Sequence, residues 1–213
     1  TILIQGRPHA IPWFAENADA ILCAWYPGEK GGDAIGEIVF GKTNPSGKLS
    51  VSIPYDAAQL PVFYNRKDAS AYADMSSQPL YPFGYGLSYT SFSYTDFFVN
   101  KKEIGMQEIL DGKAFEITFS VKNTGQLKGK TTPQLYIHDM EACVTRRIKE
   151  LKDFAKIELE PQETKKVSLS VNGEELGVYD YSMNYVIEPG NIKLMIGDSC
   201  ENIIYETIVT IGE

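Results

Sequence analysis

A chain of 213 residues, 43% hydrophobic and 23% charged, has room for one large domain or two small ones and enough apolar material for a core, which argues against disorder. The formal net charge of −8 at pH 7 repels phosphate backbones and anionic lipid, so no nucleic-acid or membrane-surface partner is expected. No apolar run approaches the length of a membrane-spanning helix.

Residues 1–54 read as alternating strand and helix. Ile2-Leu3-Ile4 is an unbroken apolar run stopped by Gly6-Arg7-Pro8, the pattern of a buried parallel strand. Pro12 to Ala18 has room for a short helix, and Ala20 to Trp25 reads as a second buried strand ended by Pro27-Gly28. Gly31-Gly32-Asp33 predicts a helix entry with Asp33 as N-cap. Ala34, Ile35, Ile38 and Val39 then form a stripe of period 3.6, and Gly41 closes the helix at C′. After the turn Asn44-Pro45-Ser46-Gly47, Leu49, Val51 and Ile53 alternate with polar neighbours as a one-sided strand. Three short strands and about two helices cannot cover both faces of a parallel sheet. This stretch therefore reads as the tail of a larger α/β domain. The chain opens on Thr1 inside a strand pattern, so the expectation is that the natural N-terminus lies upstream and that a missing leader says nothing about export.

Residues 55–91 show little periodicity but many aromatics: Tyr55, Phe63, Tyr64, Tyr72, Tyr81, Phe83, Tyr85 and Tyr89. A flexible linker would be rich in Gly and Ser; this one is expected to lie packed along domain surfaces. From Phe92 the pattern turns all-β. Phe92, Tyr94, Asp96 and Phe98 alternate with Ser93, Thr95 and Phe97, and Phe115 to Lys122 alternates strictly until Asn123-Thr124-Gly125. Further strands are expected at Gln134 to His138, Leu151 to Leu159, Lys166 to Val171, Tyr185 to Ile187, Ile192 to Gly197 and Ile203 to Ile211. Short strands separated by turn signals over residues 92–213 predict a β-sandwich of immunoglobulin-like type. The fold class is thus a partial parallel α/β segment followed by an all-β sandwich.

The three cysteines, Cys23, Cys143 and Cys200, make neither a metal spacing nor an even disulfide framework. Cys23 reads as a buried small hydrophobe, and a Cys143–Cys200 bridge has no support beyond its possibility. His9 and His138 have no neighbours of metal-ligand type, so no metal or other cofactor is expected. Arg146, Arg147, Lys149 and Lys152 form a local basic patch, read as the solvated edge of a strand.

Two strings carry a resemblance. Pro82-Phe83-Gly84-Tyr85-Gly86-Leu87-Ser88-Tyr89-Thr90 follows Asn44-Pro45-Ser46-Gly47-Lys48-Leu49, and both resemble the C-terminal part of family 3 glycoside hydrolases of the bacterial β-glucosidase and β-xylosidase kind. Gly6-Arg7-Pro8, Ala20-Ile21-Leu22, Trp25-Tyr26-Pro27-Gly28 and Gly31-Gly32 match the same pattern in order. Lys149 to Phe154, Leu159-Glu160-Pro161 and Glu188-Pro189-Gly190 resemble the family's fibronectin type III-like C-terminal domain. The resemblance implies the end of an α/β sandwich domain over 1–54, an aromatic-rich linker over 55–91 and a fibronectin type III-like domain over 92–213. It also implies export to the periplasm or outside the cell.

The same resemblance implies a retaining exo-acting β-glycosidase that removes terminal sugars from oligosaccharides. Its nucleophile and its acid/base, a pair of carboxyl groups roughly 5 Å apart, lie on segments upstream of Thr1. No catalytic residue is therefore assigned in this chain. Glu29, Asp33 and Glu37 cluster near Trp25-Tyr26, but Glu29 and Lys30 stand where the family usually has Gln and Glu, and the cluster reads as loop and helix-start charge. Phe63-Tyr64-Asn65-Arg66-Lys67 resembles a Tyr-Tyr-Asn-His-Lys string of related enzymes, with Phe63 and Arg66 as departures. Tyr64, Asn65 and Lys67 are the candidate sugar-binding residues, offering an aromatic face, an amide and a cation. The plainer reading of that string is interdomain packing. An independent carbohydrate-binding or interaction module is the alternative function, and fold alone does not choose between them.

Overall fold

The computed structural model describes residues 1–67, 76–112 and 114–213; Tyr72 lies outside them. Two strands, β1 (Ile2–Gln5) and β2 (Ile21–Trp25), pair in parallel, with Ile2 opposite Ile21 and Ile4 opposite Cys23. Helix α1 (Pro12–Asn17) connects them, with Pro at its start where a missing N–H costs nothing. Helix α2 (Gly31–Val39) follows. It ends as the sequence predicts: Gly41 has φ 71°, its amide donates to the Ile38 carbonyl at 2.9 Å, and the Lys42 amide donates to the Glu37 carbonyl at 2.8 Å. That pair of bonds closes the last turn through a left-handed glycine.

Three expectations for this stretch are corrected. Asp33 is not the N-cap: the helix begins two residues earlier, with Lys30 at the cap position, and Asp33 sits in the first turn, 3.8 Å from Lys30 Nζ. Leu49 to Ile53 is no strand: among the described residues it makes a single bridge, from Ile53 to Tyr81. Nor are β1 and β2 buried, since Ile4 alone of their residues is buried, while Leu3 is 43% exposed and Cys23 is half-buried. A parallel sheet of two strands has too few neighbours to shield its faces.

The rest is a β-sandwich of immunoglobulin-like type. One sheet has the order β10 (Thr164–Asn172), β5 (Ala114–Asn123), β3 (Phe92–Val99). The other runs β4 (Glu103–Gly105), β14 (Ile203–Gly212), β13 (Gly190–Gly197), β7 (Gln134–Asp139), β8 (Glu150–Phe154). All pairs are antiparallel except β4 with β14. Two small ribbons complete it: β6 (Gly129–Thr131) with β9 (Ile157–Leu159), and β11 (Val178–Tyr179) with β12 (Tyr185–Val186). A short helix, α3 (Met106–Leu110), follows β4.

The alternation in β5 puts Phe115, Ile117, Phe119 and Val121 in the core, each no more than 1% exposed. They meet Leu135, Ile137, Leu169, Val171, Leu194 and Val209 from both sheets. At about 1.5–3 kcal/mol for each fully buried side chain of this size, this cluster is the main source of stability. The alternation in β3 is corrected by a bulge. Asp96 has φ 58°, pairing with β5 slips between Thr95 and Phe98, and the faces exchange. Phe97 turns inward and stacks on Tyr205 at 4.4 Å, while Phe98 is 61% exposed. Leu151 to Leu159 is likewise two strands in different sheets, because the chain crosses at Ala155, whose amide donates to the Pro133 carbonyl.

Candidate functional site

The two motif strings fold against each other. The Leu49 amide donates to the Tyr85 carbonyl at 2.8 Å, and the Gly84 amide returns to the Leu49 carbonyl at 2.7 Å. Lys48 Nζ donates to the Gly86 carbonyl, also at 2.8 Å, and its burial lowers the ammonium pKa. A side chain at Gly86 would strike the Gly47 carbonyl oxygen at 2.2 Å, which explains that glycine sterically.

The same junction is tied to the sandwich by side-chain amides. Asn44 Oδ1 accepts from the Ser88 hydroxyl and the Tyr89 amide, while its Nδ2 donates to the Lys128 carbonyl. Buried Asn123 accepts from Thr90 Oγ1 at 2.7 Å and donates to the Leu127 and Leu159 carbonyls. Buried Gln134 donates to the Gly84 carbonyl at 3.3 Å and to the Asp198 carbonyl at 2.7 Å, and accepts from Tyr136 Oη. Asn123 was visible in the sequence only as a turn residue, and Asn44 as a turn residue at the start of a family-like string. Their long-range role leaves no local signature.

The candidate loop, residues 61–67, lies against the hairpin formed by β7 and β8. The Tyr64 ring stacks on Phe83 at 4.2 Å and meets Tyr136 edge-on at 6.1 Å. Its hydroxyl accepts from the Leu151 amide at 3.2 Å, and burial raises the phenol pKa. The Asn65 carbonyl accepts from Arg147 Nη1 at 3.0 Å, and the Arg66 carbonyl from the Ile148 amide at 2.9 Å. Asn65 is half-buried and Lys67 exposed, with Phe63 beside them 62% exposed. A cavity of about 140 Å³ opens beside the loop, lined by Ser52, Gln59, Tyr64, Arg66, Cys200 and Glu201 among others. Geometry thus brings Tyr64 and Arg66 to one cavity wall and leaves Asn65 and Lys67 next to it in sequence.

The basic patch lies at a sheet edge, as expected, since β8 is a terminal strand, but of its four cations Arg147 alone is exposed. Arg146 Nε lies 3.2 Å from Asp139 Oδ2, with both side chains more than nine-tenths buried. Lys149 donates to the Cys200 carbonyl, and Lys152 pairs with Glu150 at 3.1 Å. These cations are consumed internally. Sequence reading missed the Asp139–Arg146 pair, whose partners are separated by a loop of no evident periodicity. Nor is there a Cys143–Cys200 bridge: all three cysteines are free, Cys143 is exposed, and burial beneath Tyr136 pushes the Cys200 thiol up to about 12. The carboxylates near Trp25 serve locally, Asp33 beside Lys30 and Glu37 accepting from Thr43 Oγ1 at 3.1 Å. Among the described residues no group of three or more His, Cys, Asp or Glu side chains could hold a metal ion, and no helix is long and apolar enough to cross a membrane.

Comparison with known proteins agrees with this architecture. Residues 1–89 match the glycosyl hydrolase family 3 C-terminal domain, and residues 131–200 match a fibronectin type III-like domain. A periplasmic β-glucosidase of Salmonella typhimurium is 41% identical over 209 residues, which span 92% of this chain and 27% of that protein. A β-xylosidase of Formosa agariphila is 38% identical over 93% of this chain and 28% of its own length. Among solved structures, a β-glucosidase from Listeria innocua superposes with a TM-score of 0.92 at 32% identity, covering 100% of this chain and 30% of that one. A β-glucosidase from Erythrobacter marinus gives 0.90 at 42% identity, covering 99% and 27%. The chain spans less than a third of the length of each relative. The interlocked motif strings, the two-stranded parallel sheet and the sandwich that follows it place this chain in glycoside hydrolase family 3, as its C-terminal α/β segment and fibronectin type III-like domain.

Proposed function

We propose that this chain is the non-catalytic C-terminal part of a retaining, exo-acting β-glycosidase, a β-glucosidase or β-xylosidase that removes terminal sugars from oligosaccharides. The observation that carries this reading is the bare apolar surface of residues 1–54. Trp13 is 65% exposed, Tyr26 85% and Phe40 82%, in a stretch whose sheet has two strands with Ile4 alone of their residues buried. Exposed apolar area of this kind marks an interaction surface. Its partners would be the family's N-terminal catalytic domains, which supply both carboxyl groups of the retaining mechanism. The sandwich would brace the α/β layer through Asn44, Asn123 and Gln134. The periplasmic relative supports a periplasmic or secreted setting for the whole enzyme.

Within that enzyme, Tyr64 would set the loop while Asn65 and Lys67 reach the sugar. Replacing Asn65 or Lys67 by Ala in the intact enzyme should raise KM about tenfold, the equivalent of ~1.4 kcal/mol of binding. Unchanged KM in both variants would remove the sugar-binding role.

The chain alone should leave aryl β-glucosides and β-xylosides intact. Turnover above a buffer blank would overturn the non-catalytic reading. The alternative, an independent carbohydrate-binding module, is favoured by the cavity beside Tyr64 and Arg66. Calorimetric titration with gluco- and xylo-oligosaccharides separates the two, since a free-standing module would bind at micromolar concentration.

A further inference from the structure

We infer that Asp139 and Arg146 are positioning residues for the 61–67 loop, acting through the neck of the β7–β8 hairpin. The hairpin's connecting loop spans residues 140–149, and two contacts close its neck. Arg146 Nε lies 3.2 Å from Asp139 Oδ2, and His138 Nδ1 lies 2.9 Å from the Arg147 carbonyl. Arg146 also reaches the Gly177 carbonyl at 3.5 Å, which ties the neck to the segment before β11. An arginine side chain only 9% exposed is uncommon, and here it faces a carboxylate only 8% exposed.

The return arm of this neck makes the contacts that hold the loop. Arg147 Nη1 and the Ile148 amide donate to the consecutive carbonyls of Asn65 and Arg66, and the Leu151 amide donates to the Tyr64 hydroxyl. Three successive loop residues are therefore fixed by donors within five residues after Arg146, two of them at the next two positions. No regular element of the loop itself does that work; residues 60–67 belong to neither helix nor strand. The buried pair sets the direction in which the chain leaves the neck, and that direction sets where Asn65 and Lys67 stand. The functional half of this inference rests on the sugar-binding reading of those two residues.

The test uses the double variant Asp139→Asn, Arg146→Met, which removes both charges so that neither is left buried without a partner. In this chain, amide exchange should accelerate about tenfold at Ile148 and Leu151, the two amides that donate to the loop, while β13 and β14 keep their protection. In the intact enzyme, KM should rise about tenfold with kcat held within about twofold. Lys152→Met, which breaks the more exposed pair with Glu150, should change neither readout. Unchanged exchange at Ile148 and Leu151 would overturn the positioning role outright. Faster exchange with an unchanged KM would leave the mechanical coupling standing and sink the sugar-binding reading on which its function depends.

Discussion

Residues 1–54 and residues 92–213 both carry apolar strands, yet only one of the two stretches builds a core. In the sandwich, Phe115, Ile117, Phe119 and Val121 face a second sheet and are sealed from water. In the N-terminal stretch, Ile2-Leu3-Ile4 and Ile21-Leu22-Cys23 pair with each other in a sheet of two strands, and of these six residues Ile4 alone is buried. Apolar content sets how much surface could be buried; the number of layers decides how much is. The N-terminal stretch is held by polar and backbone contacts at the junction instead, through Asn44, Leu49 and Gly84.

The sharpest way to break this contrast is to remove a large ring from each side. Phe119 is 0% exposed and stacks with Tyr94 and Phe97, so Phe119→Ala should cost about 3–5 kcal/mol. Phe40, 82% exposed, should cost less than about 0.5 kcal/mol when replaced by Ala. Urea titration followed by circular dichroism measures both. Comparable losses would mean that residues 1–54 contribute a core of their own.

A smaller effect should uncouple the two regions. Gly86→Ala drives a methyl group into the Gly47 carbonyl and separates the motif strings, at about 1–3 kcal/mol. Cleavage by a dilute protease should then rise within residues 44–54, while a fragment near 92–213 persists. Persistence of that fragment in the parent chain also tests the proposed boundary at residue 92. Equal resistance of both ends in the variant would show that the junction is not what joins them.

How far the sequence foretold this outcome follows from the range of the forces involved. Period-two alternation located β5, β10 and β14 because burial on one face is written every second residue, whereas β7 and β13, buried on both faces, showed as short apolar runs. The Schellman-type end of α2 was equally legible, since Gly41 alone supplies it. The bulge at Asp96 was not, because a non-glycine residue at φ 58° breaks the alternation without marking the sequence. Leu49 to Ile53 misled for the opposite reason: the alternation is present, but among the described residues it makes one bridge, from Ile53 to Tyr81. At the candidate site, family-like residues pointed to the 61–67 loop, but its supports are carbonyls and amides of the β7–β8 hairpin and a buried ion pair across residues 139–146. Backbone donors carry no residue identity, so pattern reading cannot see them.

The smallest expected effect concerns two surface aspartates, Asp33 and Asp180. Asp33 stands in the first turn of α2 beside Lys30, a pair exposed on both sides, and Asp33→Asn should move stability by less than about 0.5 kcal/mol. Asp180 instead closes the turn between β11 and β12. Its Oδ1 accepts from the Asn184 amide at 2.9 Å and the Ser182 amide at 2.8 Å, and its Oδ2 accepts from Asn184 Nδ2 at 3.2 Å. These donors favour the ionised form, the Asn184 amide most, and hold the carboxyl below the ordinary aspartate range. A depressed folded value means that the turn's stabilisation is complete above the unfolded value and is lost as pH falls through the folded one. Carboxyl carbon resonances followed from neutral to acid pH should place the Asp180 midpoint below that of an unstructured aspartate. Asn184→Ala keeps the amide and removes only Nδ2, so it should return the midpoint part of the way. A midpoint already at the ordinary value in the parent chain would mean that the turn is set by backbone geometry at Met183, whose φ is 65°, and not by the carboxylate.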